Sequence, residues 1–94
     1  MARWVVLTNI HRGVYFGELR TEPKPGESVV LYNARHCFSW HAYPDSKGVW
    51  GLALKGPAPQ SQVGPTFPML TVLAPAQFAD CTPEAVEAWL AATW

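Results

Sequence analysis

The stretch HRGVYFGELRTEPKPGESVVLYNAR, residues 11–35, decides the fold because two runs of β-forming residues flank one polar connection. Residues 14–19 and 28–34 are predicted strands, since Val, Tyr and Phe fit a pleated, half-buried surface. Between them, residues 20–27 hold two prolines and a glycine, which is typical of a hairpin connection. Gly17 inside the first strand predicts a bulge or a close backbone approach, as at the bend of a small barrel.

Further strands are predicted on both sides of this stretch. RWVVLT (3–8) precedes it, and RHCFSW (35–40) follows as a fourth strand. MLTVL (69–73) is the predicted last strand, and Pro75 is expected to break it. Residues 58–68 hold three prolines and a glycine, so an ordered but irregular segment is expected there, of the kind that forms a lid or binding loop.

The end of the chain predicts a helix over residues 83–92. Thr82 is a good N-cap, and Pro83 fits the first helical position. The side chains expected to dock onto the sheet share one helix face: Val86, Trp89 and Leu90. Residues 49–57 fit either a bent strand or a short helix, and a short helix or turn that ends at Gly56 is favoured.

Strands at regular spacing followed by one helix predict a mainly β fold in a single domain, residues 1–94. The expected architecture is a small SH3-like or Sm-like curled sheet, or partly open barrel, with one C-terminal helix. Such an analogy of fold says little about function.

Composition excludes several classes of function. Seven basic residues balance seven acidic ones, so the chain lacks the electrostatic footprint of a duplex nucleic-acid binder. The apolar run near the N-terminus is too short for a signal peptide or a membrane span. We therefore expect no membrane partner and a cytoplasmic location.

Metal binding is disfavoured by the spacing of the potential ligands. The potential ligands are His11, His36, Cys37, His41, Asp80 and Cys81, but no C-x-x-C or H-E-x-x-H spacing occurs. On a regular strand, Arg35, Cys37 and Ser39 share one face, and His36, Phe38 and Trp40 share the other. The adjacent His36 and Cys37 therefore do not chelate one ion together, and no metal or cofactor is predicted.

A cysteine nucleophile is the remaining catalytic hypothesis. Cys37 lies between apolar neighbours, where burial raises the pKa of a thiol and makes it inert. Asp80 also disfavours a thiolate at Cys81, although the following helix N-terminus acts in the opposite direction. Structural roles are favoured for both thiols, and no enzyme is predicted.

Binding is the better hypothesis, and seven residues are candidates for a pocket on one side of the sheet: Arg12, Arg35, Trp40, Trp50, Lys55, Ser61 and Gly64. Basic side chains supply charge, glycine lets backbone N–H groups approach a ligand, and tryptophan offers a stacking face. Such a set suits a nucleotide-like or other anionic small molecule. In the alternative, the basic residues are solvated and the tryptophans pack in the core.

Self-association is favoured by the same composition. Aromatic residues make up 13% of the chain and charged residues only 15%, and a chain of 94 residues has a small core. Pairing between subunits would also protect exposed strand edges. We therefore expect a homo-oligomer, with a well-covered monomer as the alternative.

Four segments carry a resemblance to a known family: HRGVYFGEL, NARHCFSW, GLALKGP followed by SQVGP, and CTPEAVEAW. In this order they resemble a family of short phage- and prophage-encoded proteins of unknown function. The resemblance implies a phage gene and a bacterial cell, and it brings no established activity. The family's usual SRIG run is here Ser61, Gln62, Val63 and Gly64, so a basic position of the family is missing.

Together these observations predict a non-catalytic phage accessory protein in the cytoplasm of a bacterial host. Its expected partner is a small anionic, nucleotide-like molecule or a host protein, in a role that counteracts host defence. The alternative is a structural or assembly protein of the virion.

Overall fold

A computed structural model describes residues 3–24, 26–45 and 48–92 and shows a mainly β protein with a C-terminal helix. The elements, in chain order, are β1 (Arg3–Asn9), β2 (Val14–Leu19), β3 (Val29–Ser39), α1 (Gly51–Leu54), β4 (Gln62–Val63), β5 (Phe67–Val72), β6 (Pro75–Asp80) and α2 (Pro83–Ala91). All strand pairs are antiparallel, in the order β4-β3-β2-β1-β6, and β5 also pairs with β3. Only residues 73–74 join β5 to β6, so the sheet curls back on itself, as predicted for a partly open barrel.

The predicted bulge at Gly17 is confirmed. The pairing of β2 with β3 shifts between Phe16 and Glu18. A Cβ atom at position 17 would lie 2.8 Å from the Cβ of Leu31, which is closer than two carbon atoms pack. Glycine at this position therefore lets β3 approach β2 where the sheet bends.

The two strands predicted over residues 28–34 and 35–40 are one strand, β3, of 11 residues. Asn33 has a φ of 50° in the middle of β3, which asparagine tolerates better than most residues. This residue absorbs the irregularity, so β3 bends without ending. After it, Arg35 and Cys37 are buried, His36 is half-buried and Phe38 is exposed, so the predicted alternation is confirmed for these residues.

The prediction for the last strand was incomplete. Residues 67–72 form β5, but Pro75 begins a further strand, β6, and does not end the sheet. Proline is compatible with the first position of a strand because it needs no ladder hydrogen bond there. The segment predicted to be irregular likewise contains β4 and the start of β5, including Pro68.

The C-terminal helix begins as predicted. The side chain of Thr82 accepts a hydrogen bond from the N–H of Ala85, and Pro83 follows it. Trp89 is fully buried, and its Nε1 donates to the carbonyl of Leu52 in α1 at 2.9 Å. The prediction that Leu90 docks was wrong: Leu90 is exposed, and Ala85 is the buried residue one turn before Trp89.

The short helix favoured for residues 49–57 is α1, which spans four residues. Gly56 follows it with a φ of 82°, in the left-handed region that favours glycine. None of the helices within the described residues is long and apolar enough to cross a membrane.

Two apolar clusters occupy the two faces of the sheet. One, around Val5, Leu7 and Leu31, lies inside the curl. The other lies between the opposite face and the two helices. Its centre is a stack of three nearly parallel rings, Trp4, Phe16 and Trp89, with both centroid distances at 5.1 Å. We call these three rings the core stack.

Candidate functional site

One end of the sheet gathers aromatic side chains around the β1–β2 turn. Val14 lies opposite Cys37, so the turn before β2 and the end of β3 are neighbours. We call this region the aromatic end and define it by turn residues 10–13 with Tyr15, His36, Phe38 and Trp40. Trp40 follows the end of β3 and is 38% exposed.

Three of its rings form a second stack. Tyr15 and His36 are cross-strand partners, with ring centroids 4.8 Å apart and ring planes 19° apart. The edge contact from His36 to Phe38 has a centroid distance of 4.6 Å. We call these rings the surface stack, because Phe38 is 53% exposed. Burial lowers the pKa of His36, which keeps its ring neutral at pH 7 and suited to stacking.

The turn next to this stack is held by Asn9. Its Oδ1 accepts hydrogen bonds from the N–H groups of His11 and Gly13, at 3.1 and 2.8 Å. Arg12, between them, has a φ of 64° and an exposed side chain. A Cβ on Gly13 would lie 2.7 Å from the Tyr15 ring, so that ring lies against the turn backbone.

Charge is unevenly distributed over the molecule. The segments that form the aromatic end and the β4 segment beside it, residues 10–16, 36–41 and 61–64, contain no Asp or Glu. The side chain of Arg12 forms no ion pair or hydrogen bond with any other described residue. Arg12 is therefore an uncompensated cation beside a set of aromatic rings.

Of the seven predicted ligand-binding residues, Arg35 and Gly64 are in direct contact. Nε of Arg35 donates to the carbonyl of Gly64 at 2.8 Å, and Nη1 donates to the carbonyl of Trp89 at 2.6 Å. Arg35 is buried, and this burial lowers its pKa from the ordinary value. Its positive charge meets the last turn of α2, where the helix dipole favours a cation.

Ser61 and Gly64 lie on the segment that pairs with the end of β3. The Ser61 hydroxyl accepts from the N–H of His41 at 2.8 Å and donates to the carbonyl of His41 at 3.2 Å. The N–H of Gly64 donates to the carbonyl of His36, and its Cα lies under the Phe38 ring. Both residues thus support the backbone of the aromatic end.

The remaining predicted residues lie in two places. Arg12 and Trp40 belong to the aromatic end. Trp50 and Lys55 flank α1, where Trp50 packs against the helix-covered cluster. The ammonium group of Lys55 pairs with Asp45, which raises the pKa of Lys55 and lowers that of Asp45.

The two thiols lie in apolar surroundings. Burial raises the pKa of Cys37 to about 11, and burial together with the charge of Asp80 raises that of Cys81 to about 12. Both are therefore protonated at neutral pH and are weak nucleophiles. Within the described part of the chain, His, Cys, Asp and Glu side chains form no group of three or more suited to a metal ion.

Sequence reasoning missed Asn9 and Tyr15 as parts of this end. The signal for Tyr15 was the alternation in β2, which places it on the opposite face from the buried Phe16. The contact with His36 could not be read from alternation, because it depends on the register between two strands.

The fold and this surface define a small, mainly β protein with an aromatic, locally cationic end. The chain belongs to the family described as "Domain of unknown function (DUF6948)", which matches residues 2–89. All four segments that carry the resemblance lie within this range. Comparison with curated proteins and with solved structures gave no match.

Proposed function

We propose that this protein is a non-catalytic accessory protein of a phage or prophage that binds a small anionic, nucleotide-like molecule at its aromatic end. The observation that carries the proposal is the surface stack beside Arg12. A ring of the ligand would stack on Phe38 or Trp40, and its anionic group would pair with Arg12. The phage origin and the bacterial cytoplasm rest on the resemblance of the four segments.

The chemistry of the described residues supports binding more than catalysis. Both thiols are protonated at neutral pH, and the surface stack is built from rings that touch one another. In a bacterial host, sequestration of a nucleotide-like signal molecule would counteract a defence that depends on it.

The test is a titration with nucleoside monophosphates, followed by NMR of the Trp40 indole and the Gly13 amide. Arg12→Asn keeps a residue that tolerates the local φ but removes the charge. Because a hydrogen bond to a charged group contributes about 1.5–3 kcal/mol, we expect affinity to fall roughly tenfold or more. Lys24→Ala removes an exposed cation outside the aromatic end and should change nothing. Equal affinities of Arg12→Asn and the unchanged protein would contradict the proposal.

A host protein is the second candidate partner, and the exposed side chains of β5 favour it. Phe67 is 48% and Met69 63% exposed on a strand that pairs only with β3 among the described strands. Exposed apolar side chains on an edge strand are typical of a protein interface or of self-association.

Native mass spectrometry of the protein from its producing cell distinguishes these candidates. A bound nucleotide mass supports the first, and a host-protein partner lost in Met69→Ser supports the second. A homo-oligomer lost in Met69→Ser would instead assign the β5 surface to self-association. Leu90→Ser, at a site on α2 that is 51% exposed against 63% for Met69, is the control. Detection of the protein in purified virions would instead favour a structural or assembly role.

A further inference from the structure

A groove lies between the start of β1 and the first turns of α2, away from the aromatic end. Its volume is about 550 Å³. The apolar part of its wall includes Trp4, Pro83 and Val86, and the charged part is formed by Arg3, Asp80 and Glu87. We call it the Trp4 groove.

Trp4 is held in a fixed orientation in this groove. It is the outer ring of the core stack, with an interplanar angle of 9° to Phe16. Phe16 covers one face of the indole, and Trp4 also lines the groove. The carbonyl of Trp4 accepts a hydrogen bond from the N–H of Cys81, which fixes the backbone there. Of the aromatic side chains, tryptophan binds a cation most strongly on its ring face.

The charges around the groove are mainly negative. The guanidinium of Arg3 donates to Glu22 at 2.6 Å and to Asp80 at 2.8 Å, so two carboxylates already compensate its charge. Glu87 is exposed and forms no ion pair with another described residue. The groove wall thus holds one cation, Arg3, and two carboxylates, Asp80 and Glu87, and Glu22 outside the wall also pairs with Arg3.

The start of α2 does not reverse this preference. Pro83 has no N–H, the Thr82 Oγ1 accepts from the N–H of Ala85, and the Thr82 carbonyl accepts the first intrahelical hydrogen bond, from the N–H of Val86. These N–H groups are therefore not available to an anion in the groove.

From these contacts we infer that the Trp4 groove binds an arginine side chain of a protein partner. The methylene groups of the arginine lie along Pro83 and Val86, its guanidinium lies over the Trp4 indole, and the Glu87 carboxylate accepts two hydrogen bonds from it. Lysine binds more weakly, because its ammonium group cannot stack or form a bidentate pair. This site is separate from the aromatic end and does not depend on the function proposed above.

The test is an NMR titration of the ¹⁵N-labelled protein with the peptide acetyl-Gly-Arg-Gly-amide, compared with its lysine and citrulline counterparts. Citrulline keeps the planar shape of arginine but has no charge. We expect saturable shifts of the Trp4 indole and the Cys81 amide, with the citrulline peptide at least fivefold weaker. The Trp89 indole, at the inner end of the core stack, monitors the fold.

Variants of the protein distinguish binding in the groove from a general attraction of the cationic peptide to negative charges elsewhere on the surface. Glu87→Gln should lower the affinity for the arginine peptide about fivefold or more. Glu84→Gln, an exposed carboxylate on the same helix that does not line the groove, should leave it unchanged. Arg12→Asn should also leave it unchanged, which keeps this result distinct from the test of the aromatic end.

Three results would overturn the inference. Equal affinity for the citrulline peptide would show that the charge of arginine is not recognised. Equal effects of Glu87→Gln and Glu84→Gln would show that the peptide does not bind in the groove. Self-association in light scattering that Glu87→Gln abolishes would make a second copy of this chain the occupant, in place of a separate partner.

Discussion

The core stack and the surface stack are both built from contacts between aromatic rings, but they differ in burial. Tyr15 and Phe16 are consecutive residues of β2, so their rings point to opposite faces of the sheet. Phe16 contacts both Trp4 and the fully buried Trp89, whereas Tyr15 contacts His36, and His36 in turn contacts the exposed Phe38. Burial distinguishes the two stacks: Phe16 and Trp89 of the core stack are fully buried, whereas Phe38 of the surface stack is about half exposed.

The largest expected difference between the stacks is in stability. Trp89→Ala removes the inner ring and the hydrogen bond to the Leu52 carbonyl, and it leaves a cavity that costs about 3–5 kcal/mol of unfolding free energy. Phe38→Ala in the surface stack should cost about 1 kcal/mol or less, because half of that ring already contacts solvent. Chemical denaturation measures both. A Trp89→Ala protein with an unchanged melting temperature would contradict the docking of α2.

Arg35 connects the two regions, since it joins β3 to Gly64 under the surface stack and to Trp89 in the core stack. Arg35→Ala removes both hydrogen bonds and leaves two carbonyls without this donor, at a cost of about 2–3 kcal/mol. Arg12→Asn should stay within about 0.5 kcal/mol, as expected for an exposed site. Denaturant midpoints of both variants make the comparison. If Arg35→Ala keeps its stability and all ligand binding, Arg35 is neither a structural contact nor a ligand contact.

Thiol reactivity tests whether the helix-covered face excludes solvent. With pKa values of about 11 and about 12, Cys37 and Cys81 are almost entirely protonated at pH 7.5. We expect both to react with a disulfide reagent about a hundredfold more slowly than in the unfolded chain. The rate is measured with and without denaturant. Rapid reaction of the folded protein would show that this face opens easily.

The smallest expected effect is a pH dependence from His36 in the surface stack. Burial lowers its pKa below the ordinary 6.5, so the unfolded chain takes up a proton at higher pH than the folded one. Stability from this site is fully present above about pH 6.5 and declines as the pH falls towards the folded pKa. His36→Phe should remove this part of the slope in denaturant midpoints between pH 5 and 8, and His11→Phe should keep it. The same slope in His36→Phe would assign it to other groups.

Much of the fold followed from local signals, whereas contacts between distant segments did not. Alternation placed Arg35 and Cys37 on the buried face of β3, and the Thr82-Pro83 pair located the start of α2. What alternation could not show was the partner of Arg35, because the carbonyls of Gly64 and Trp89 reach it only through the tertiary fold. Leu90 was misplaced for a similar reason: the face of α2 that packs on the rest of the molecule carries Ala85 and Trp89, both fully buried, and Leu90 lies outside it.

The same limit applies to the aromatic end and the Trp4 groove. The sequence analysis named Trp40 and Trp50 as candidates for binding and did not single out Trp4, which lines its groove together with residues of α2 about eighty positions away in the chain. β6 was missed because a proline that opens a strand and a proline that ends one look alike in a single sequence. Only its register with β1 distinguishes them.

Pro68 and Pro75 have a consequence for how this molecule meets others. Each lies in a strand that has one unpaired edge among the described strands. Proline has no backbone N–H, so it cannot donate a hydrogen bond to a strand added at that edge. The addition of a further β-strand to these free edges through backbone hydrogen bonds is therefore disfavoured. Such strand addition is the usual first step of fibril growth. Association is left to side-chain chemistry, which is easier to make selective and to reverse.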